Sequence, residues 1–148
     1  MKKLLLFFVF VSSFAFSQQL VLNEITKVYE FTNIAEYNES FENISKRIIK
    51  NLKDLNYTNI IVDNDRISAE SFYSKLVITT PVKINYQVVF EFKENRYKLL
   101  INKFVLDDNI RALIPLENLK SYTKKWVKDI NKNLPTIVKA LEYSPEKW

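Results

Sequence analysis

The 148-residue chain contains no glycine, no histidine and no cysteine. Without glycine it lacks the phosphate-cradling loop, the dinucleotide fingerprint and the G-x-S-x-G nucleophile turn. Without histidine or cysteine it lacks a Ser-His-Asp triad, a Cys-His pair and an ordinary zinc site. The side chains left for catalysis are carboxylates, serine paired with lysine, and tyrosine. We therefore expect no metal and no cofactor, and we favour a non-catalytic role.

The first residues have the pattern of an export signal. The segment MKKLLLFFVFVSSFAFSQQ begins with two basic residues, continues as an apolar run over residues 4–16, and ends in Ala15-Phe16-Ser17, which supplies the small residues that a signal peptidase requires. The run is shorter than the roughly 20 apolar residues of a membrane span. We predict a cleaved signal peptide over residues 1–17, one domain over residues 18–148, no transmembrane segment in the mature chain, and a periplasmic or secreted location.

The positive charge of the chain is modest and comes mostly from lysine. The formal net charge is +5, and the arginines are Arg47, Arg66, Arg96 and Arg111. Arginine is the residue that favours bidentate contact with phosphates and bases, and a net charge of this size does not by itself indicate a nucleic-acid partner. Together with the export signal, this leads us to expect no nucleic acid.

Apolar periodicity predicts the order strand, helix, about four strands, helix. Residues 20–31 alternate with period two and predict the first strand. A stripe at helical spacing predicts a helix over residues 38–55, with Asn33 or Asn38 as its cap and Asn56 as its left-handed end. Its members are Phe41, Ile44, Ile48, Leu52 and Leu55.

A second stripe predicts the C-terminal helix. Its members are Leu119, Tyr122, Trp126, Ile130, Leu134, Ile137 and Leu141. Tyr122 and Trp126 are therefore expected in the core. Pro135 removes a backbone donor inside this pattern, so the segment is either a kinked helix or two helices that meet near Asn133.

Two hairpins are predicted between the helices. In the first, a loop at Asn64-Asp65 pairs residues 63 with 66, 62 with 67 and 60 with 69. Residues 73–83 follow without a predicted shape. In the second, YQVVFEFKENRYKLLINKF over residues 86–104, a loop at Glu94-Asn95 matches aromatic and charged residues across the strands. The predicted pairs are Phe92 with Tyr97, Glu91 with Lys98, Phe90 with Leu99, Val89 with Leu100, Val88 with Ile101, Gln87 with Asn102 and Asn85 with Phe104. In the absence of glycine, we expect Asn95, Asn64 and Asn56 to take the left-handed conformation.

The second hairpin also suggests a binding surface. Its register places Val89, Leu100 and Phe104 on the sheet face opposite the aromatic residues. If both helices cover the aromatic face, these three residues form an exposed apolar row that marks a partner or ligand surface. The alternative is that lysine stems and residues 74–83 cover them, and the sequence does not choose between the two.

Four lysines form a row beside the apolar stripe of the last helix. Lys120, Lys124, Lys128 and Lys132 recur every four residues. This row is a possible basic surface for acidic lipid, polysaccharide or an acidic partner. The same pattern is also typical of an ordinary solvated helix face.

The string KENRYK, residues 93–98, resembles the K-D-G-R-Y-R hairpin of an uncharacterised family of secreted bacterial domains with a TATA-box-binding-protein-like (TBP-like) fold. The strings ITKVYEF, NESFENISKRI and IIVDNDRIS are similar too, and the resemblance covers roughly residues 22–105. It implies an α+β domain, β-α-β-β-β-β-α, with a single curved antiparallel sheet of about five strands and two helices on one face. It implies no activity and no catalytic residues, and the name of the fold does not imply DNA binding. The chain has Asn95 where that family commonly has glycine.

These observations favour an exported, non-catalytic binding or interaction module of the cell envelope. Its partner would be an envelope protein or ligand that the sequence does not identify. The main alternative is a hydrolase that uses carboxylates or a Ser-Lys pair. A binder of acidic lipid or polysaccharide surfaces is a further alternative.

Overall fold

The computed structural model describes residues 19–110 and 112–142, and the predicted signal peptide lies outside them. The strands are β1 (Val21–Leu22), β2 (Tyr29–Glu36), β3 (Thr58–Asp63), β4 (Arg66–Val77), β5 (Thr80–Lys93), β6 (Arg96–Asp107) and β7 (Ile114–Pro115). The helices are α1 (Phe41–Asp54) and α2 (Thr123–Glu142), with 3-10 turns at Leu116–Asn118 and Lys120–Tyr122. No described helix is long and apolar enough to cross a membrane.

The strands form one antiparallel sheet in the order β1-β2-β6-β5-β4-β3, and β7 pairs with β6. The predicted antiparallel sheet is confirmed, with seven strands instead of about five. One addition is β7, and another arises because the predicted first strand is divided in two. The side chain of Asn23 accepts hydrogen bonds from the backbone N–H groups of Ile25 and Thr26, which makes a turn between β1 and β2.

Residues 73–83 complete a long hairpin of β4 and β5. Val77 pairs with Thr80, so Ile78 and Thr79 form a two-residue turn. Ile78 has φ of 58° and is 92% exposed. A β-branched residue in the left-handed region is strained, because its Cβ crowds the following carbonyl oxygen.

Ser40 caps α1, and neither Asn33 nor Asn38 does. The Ser40 hydroxyl accepts a hydrogen bond from the backbone N–H of Asn43 at 3.2 Å. Glu42 and Lys46, one turn apart on α1, form an ion pair at 2.6 Å between Oε1 and Nζ. Contact with Lys46 lowers the pKa of Glu42, through a hydrogen bond and through its positive charge.

The last helix is continuous through Pro135, so of the two alternatives that the sequence left open, the one with two helices does not hold. Tyr122 is 64% exposed and Trp126 is half-buried against the core, so the core prediction fails for Tyr122. The reason is that residues 120–122 form a 3-10 turn, whose three residues per turn rotate Tyr122 away from the stripe of the α-helix.

Both helices pack on the same face of the sheet, as predicted. Ile48 and Leu52 of α1 and Ile130 and Leu134 of α2 belong to one core cluster. The sheet contributes alternate residues of its two central strands to this cluster. Those residues are Val82, Ile84, Tyr86, Val88, Phe90, Phe92, Leu99, Ile101, Phe104 and Leu106.

The predicted register of the second hairpin is confirmed from Lys93 opposite Arg96 to Gln87 opposite Asn102. Beyond that point the pairing shifts, and Asn85 lies opposite Val105, so the predicted pair of Asn85 with Phe104 is wrong. The shift is a β-bulge that contains Lys103, whose φ is 53°.

The left-handed conformation is confirmed for Asn56 and Asn95, with φ of 61° and 56°, but not for Asn64. In the first hairpin the left-handed residue is Asn59, which lies in a β-bulge. Because the bulge shifts the register, the predicted pairing of residues 60 and 69 is wrong. The pairing of Asp63 with Arg66 and that of residues 62 and 67 are confirmed.

Asn95→Gly should change the free energy of unfolding by at most a few tenths of a kcal/mol, because both residues tolerate positive φ. Asn95→Val should destabilise the protein by on the order of 1 kcal/mol or more, because its branched Cβ does not. Urea unfolding of both variants measures the two differences. Equal stability of the Gly and Val variants would contradict this role of Asn95.

Ile78→Asn should stabilise the protein by about 1 kcal/mol, because asparagine relieves the left-handed strain and Ile78 has little buried surface to lose. The measurement is the urea midpoint of the variant against the unmodified protein. The matched control is Ile25→Asn, since Ile25 is equally exposed and is not among the residues with positive φ. A lower midpoint for Ile78→Asn than for the control would contradict the assignment of strain.

Candidate functional site

The three residues predicted to form an open apolar row do not form one. Val89 and Phe104 are each 0% exposed, and Leu100 is half-buried. The β-bulge at Lys103 moves Phe104 to the face that the helices cover, where its ring centroid lies 6.0 Å from that of Tyr86. The sequence could not show this, because one inserted residue reverses the face of every later side chain in the strand.

Three of the four predicted lysines lie together. Lys124, Lys128 and Lys132 line a depression of about 460 Å³ beside α2, which we call the lysine depression. Its other lining residues are Gln19, Tyr29, Val127 and Asn131. Lys120 is not part of it, because Lys120 precedes the helix in a left-handed conformation. The lysine depression combines positive charge with the apolar surface of a tyrosine ring.

A groove of about 570 Å³ lies where β2, α1 and the end of α2 meet, and carboxylates line it. Glu36, Glu39 and Glu142 contribute to its wall. Glu39 is paired with Arg47, and Glu142 accepts a hydrogen bond from the side chain of Asn33 at 2.7 Å. Among residues 19–110 and 112–142, no cluster of Asp and Glu is suited to hold a metal ion.

The sequence did not predict an apolar cleft at the other end of the sheet, which we call the end cleft. It has a volume of about 250 Å³ and lies between the β4–β5 hairpin, the β6–β7 connection and the first turn of α2. Its lining residues are Val77, Val82, Leu106, Asp108, Ala112, Ile114, Leu119, Tyr122, Lys125 and Trp126. These residues come from four separate segments that have no shared periodicity, so no sequence pattern marks the cleft.

An ion pair between an exposed lysine and a buried aspartate lies beside the tryptophan of the end cleft. Asp129, which is 8% exposed, is paired with Lys75 of β4, and the Lys75 ammonium lies 5.8 Å from the ring centroid of Trp126. The Tyr73 hydroxyl donates to Asp129 at 3.4 Å. Burial, and secondly the charge of Asp129, raises the pKa of Tyr73 above its ordinary value. The network ties the first turns of α2 to β4.

The fold is shared with two solved structures. A TBP-like protein from Parabacteroides distasonis matches with a TM-score of 0.56 and 15% identity, over 79% of this chain and 94% of that chain. A DUF4468 family protein from Bacteroides ovatus matches with a TM-score of 0.55 and 12% identity, over 88% of this chain and 96% of that chain. No family profile and no curated protein matches the sequence. The expected TBP-like fold is therefore confirmed, and at this identity the likeness carries no activity with it.

Proposed function

We propose that the protein is an exported, non-catalytic binding module of the cell envelope, and that the end cleft is its binding site. The observation that carries the proposal is an apolar cleft with a tryptophan beside the ion pair of Lys75 and the buried Asp129. Such a site binds by removing apolar surface from water, and it needs no catalytic group. The export signal predicted over residues 1–17 supports the envelope location.

The end cleft suits the apolar part of an acidic amphiphile. Its volume of about 250 Å³ is below the roughly 300–1,000 Å³ that is typical of small-molecule sites, so it would hold one short chain or ring. Lys125 lines it and is exposed, so its ammonium can meet an acidic head group. Asp108 already accepts a hydrogen bond from the backbone N–H of Ile110.

The hydrolase alternative depends on the carboxylate groove. That groove brings Glu36 and Glu142 to one wall, and a glycosidase-type reaction requires two carboxyl groups across one cleft. Glu142 is already hydrogen-bonded to Asn33 and Glu39 is neutralised by Arg47. These partners favour a structural role for the carboxylates, so we rank the hydrolase below the binding module.

Monomeric decanoate should bind in the end cleft and change the fluorescence of Trp126, measured in a Trp148→Phe background that leaves Trp126 as the one tryptophan. Ala112→Phe should weaken this binding by about tenfold or more, because the new ring fills the cleft and about 1.4 kcal/mol of lost contact is tenfold in affinity. The measurement is a fluorescence titration.

The matched control is Ala35→Phe, which makes the same change in the carboxylate groove at the other end of the sheet. It should leave decanoate binding unchanged. A flat titration with the unmodified protein, or equal binding by the Ala112→Phe variant, would contradict the end cleft as the binding site.

The lysine depression supports a second function, the binding of acidic polysaccharide. Lys124, Lys128 and Lys132 lie on one wall, and none of the described residues that line the depression is a carboxylate, so anionic groups would meet three ammonium groups. Tyr29 offers a ring on which a sugar can pack. This function does not require the end cleft.

Replacement of Lys124, Lys128 and Lys132 by Gln should abolish most binding to polygalacturonate. It should also flatten the dependence of binding on salt, because fewer contacts between lysine and carboxylate release fewer counterions. Affinity electrophoresis at two salt concentrations measures both effects. The matched triple replaces exposed lysines elsewhere, namely Lys50, Lys53 and Lys139. Equal losses in the two triple variants would show that net charge, and not the lysine depression, drives the binding.

A further inference from the structure

The two ends of the sheet differ in the character of their turns. At one end lie the β3–β4 turn at Asn64-Asp65, the β5–β6 turn at Glu94-Asn95 and the segment 37–40 before α1. Apart from one tyrosine, these turns are polar. Because neighbouring strands are antiparallel, the β1–β2 turn, the β4–β5 turn and the β6–β7 connection all lie at the opposite end, and the last two border the end cleft.

Each connection at the cleft end carries a highly exposed isoleucine. Ile25 of the β1–β2 turn and Ile78 of the β4–β5 turn are 92% exposed, and Ile110 of the β6–β7 connection is 78% exposed. They are the three most exposed of the large hydrophobic residues that the structure describes. Ile78 is also in the strained left-handed conformation, and it gains no packing within the described chain that would offset the strain.

Local hydrogen bonds hold two of these isoleucines at the tips. Asn23 accepts from the backbone N–H of Ile25, and Asp108 accepts from that of Ile110, at 2.9 and 3.0 Å. Side-chain oxygens that bind the backbone in this way impose the turn. Ile25 and Ile110 are therefore held on shaped turns, and Ile78 lies on the tight β4–β5 turn at the same end of the sheet.

The free exposed charge beside these tips is positive. Lys120, Lys124 and Lys125 at the start of α2 are exposed. The carboxylates of Asp107 and Glu117 are half-buried, and each accepts a backbone N–H. The other carboxylates at this end include Glu24, which is paired with Lys27, Glu30, which accepts from the side chain of Asn23, and Asp108, which accepts from Ile110.

We propose that this end docks on an anionic lipid bilayer, with Ile25, Ile78 and Ile110 inserted between the head groups and the lysines at the head-group level. Three separate convex tips can each enter a fluid surface to a depth of about 5–10 Å, whereas a protein partner would need three matching pockets. Lysines near an anionic surface add attraction that salt weakens. The inference rests on the proposed function, because docking would bring the end cleft to the lipid from which an acyl chain could enter it.

The test is co-sedimentation of the mature chain, residues 18–148, with vesicles of phosphatidylglycerol and phosphatidylcholine. The triple variant with Ile25→Asn, Ile78→Asn and Ile110→Asn should bind about a thousandfold more weakly, because each inserted isoleucine contributes on the order of tenfold. Vesicles of phosphatidylcholine alone should bind the unmodified protein several-fold more weakly. The matched control is Ile34→Asn, since Ile34 is 64% exposed on the strand β2 rather than at a tip.

Loss of folding would not explain the expected result, because Ile78→Asn relieves backbone strain. The urea midpoint of the Ile78→Asn variant checks that this substitution does not destabilise the protein. The proposal is overturned if the unmodified protein does not sediment with the anionic vesicles, or if the triple variant binds within about threefold of it. Decanoate binding separates the two hypotheses. If decanoate binds and vesicles do not, the docking inference fails and the end cleft stands; if vesicles bind and decanoate does not, the docking surface stands and the end cleft fails.

Discussion

The fold requires left-handed backbone at turns and bulges, and the chain contains no glycine to supply it. Eight described residues take positive φ, and asparagine occupies four of these positions, namely Asn56, Asn59, Asn95 and Asn109. Asparagine tolerates this conformation because its short polar side chain can bond locally. Lysine occupies three positions and isoleucine one. The strain is therefore concentrated at a few positions, and Ile78 is the most costly of them because it is β-branched.

The bulge at Lys103 shows how one such position determines the packing of a whole strand. On its N-terminal side, Leu99 and Ile101 face the helices, and on its other side Phe104 and Leu106 do so. Without the extra residue, the face-alternation of β6 would turn Phe104 and Leu106 away from the core. With it, the strand remains apolar on the helix side along its full length, and Leu106 reaches the wall of the end cleft.

The sequence predicted the parts of the fold that depend on regular periodicity. The α1 stripe, the register of residues 87–102 and the two helices on one face all follow from spacings of two or 3.6 residues. It failed where one residue changes the period, as at the Lys103 bulge, or where a 3-10 turn replaces an α-turn, as at Tyr122. Three of the four predicted lysines share one wall, because residues spaced i,i+4 lie on the same face of one helix. The end cleft was not predictable, because its residues meet only through the sheet topology.

The cost of exposed apolar residues at one end argues that this end is the functional one. The turns at Asn23 and Asp108 are made by hydrogen bonds from the backbone N–H groups of the isoleucines, whose side chains take no part. A polar residue in place of the isoleucine would therefore keep each of these turns. At Ile78 the chain even retains a residue that strains the backbone. Folding thus gains nothing from isoleucine at these tips, whereas binding to an apolar environment does. The polar turns at the other end show that turns of the same sheet can be made without exposed apolar residues. Asn95 supplies the left-handed conformation there with a polar side chain that water solvates.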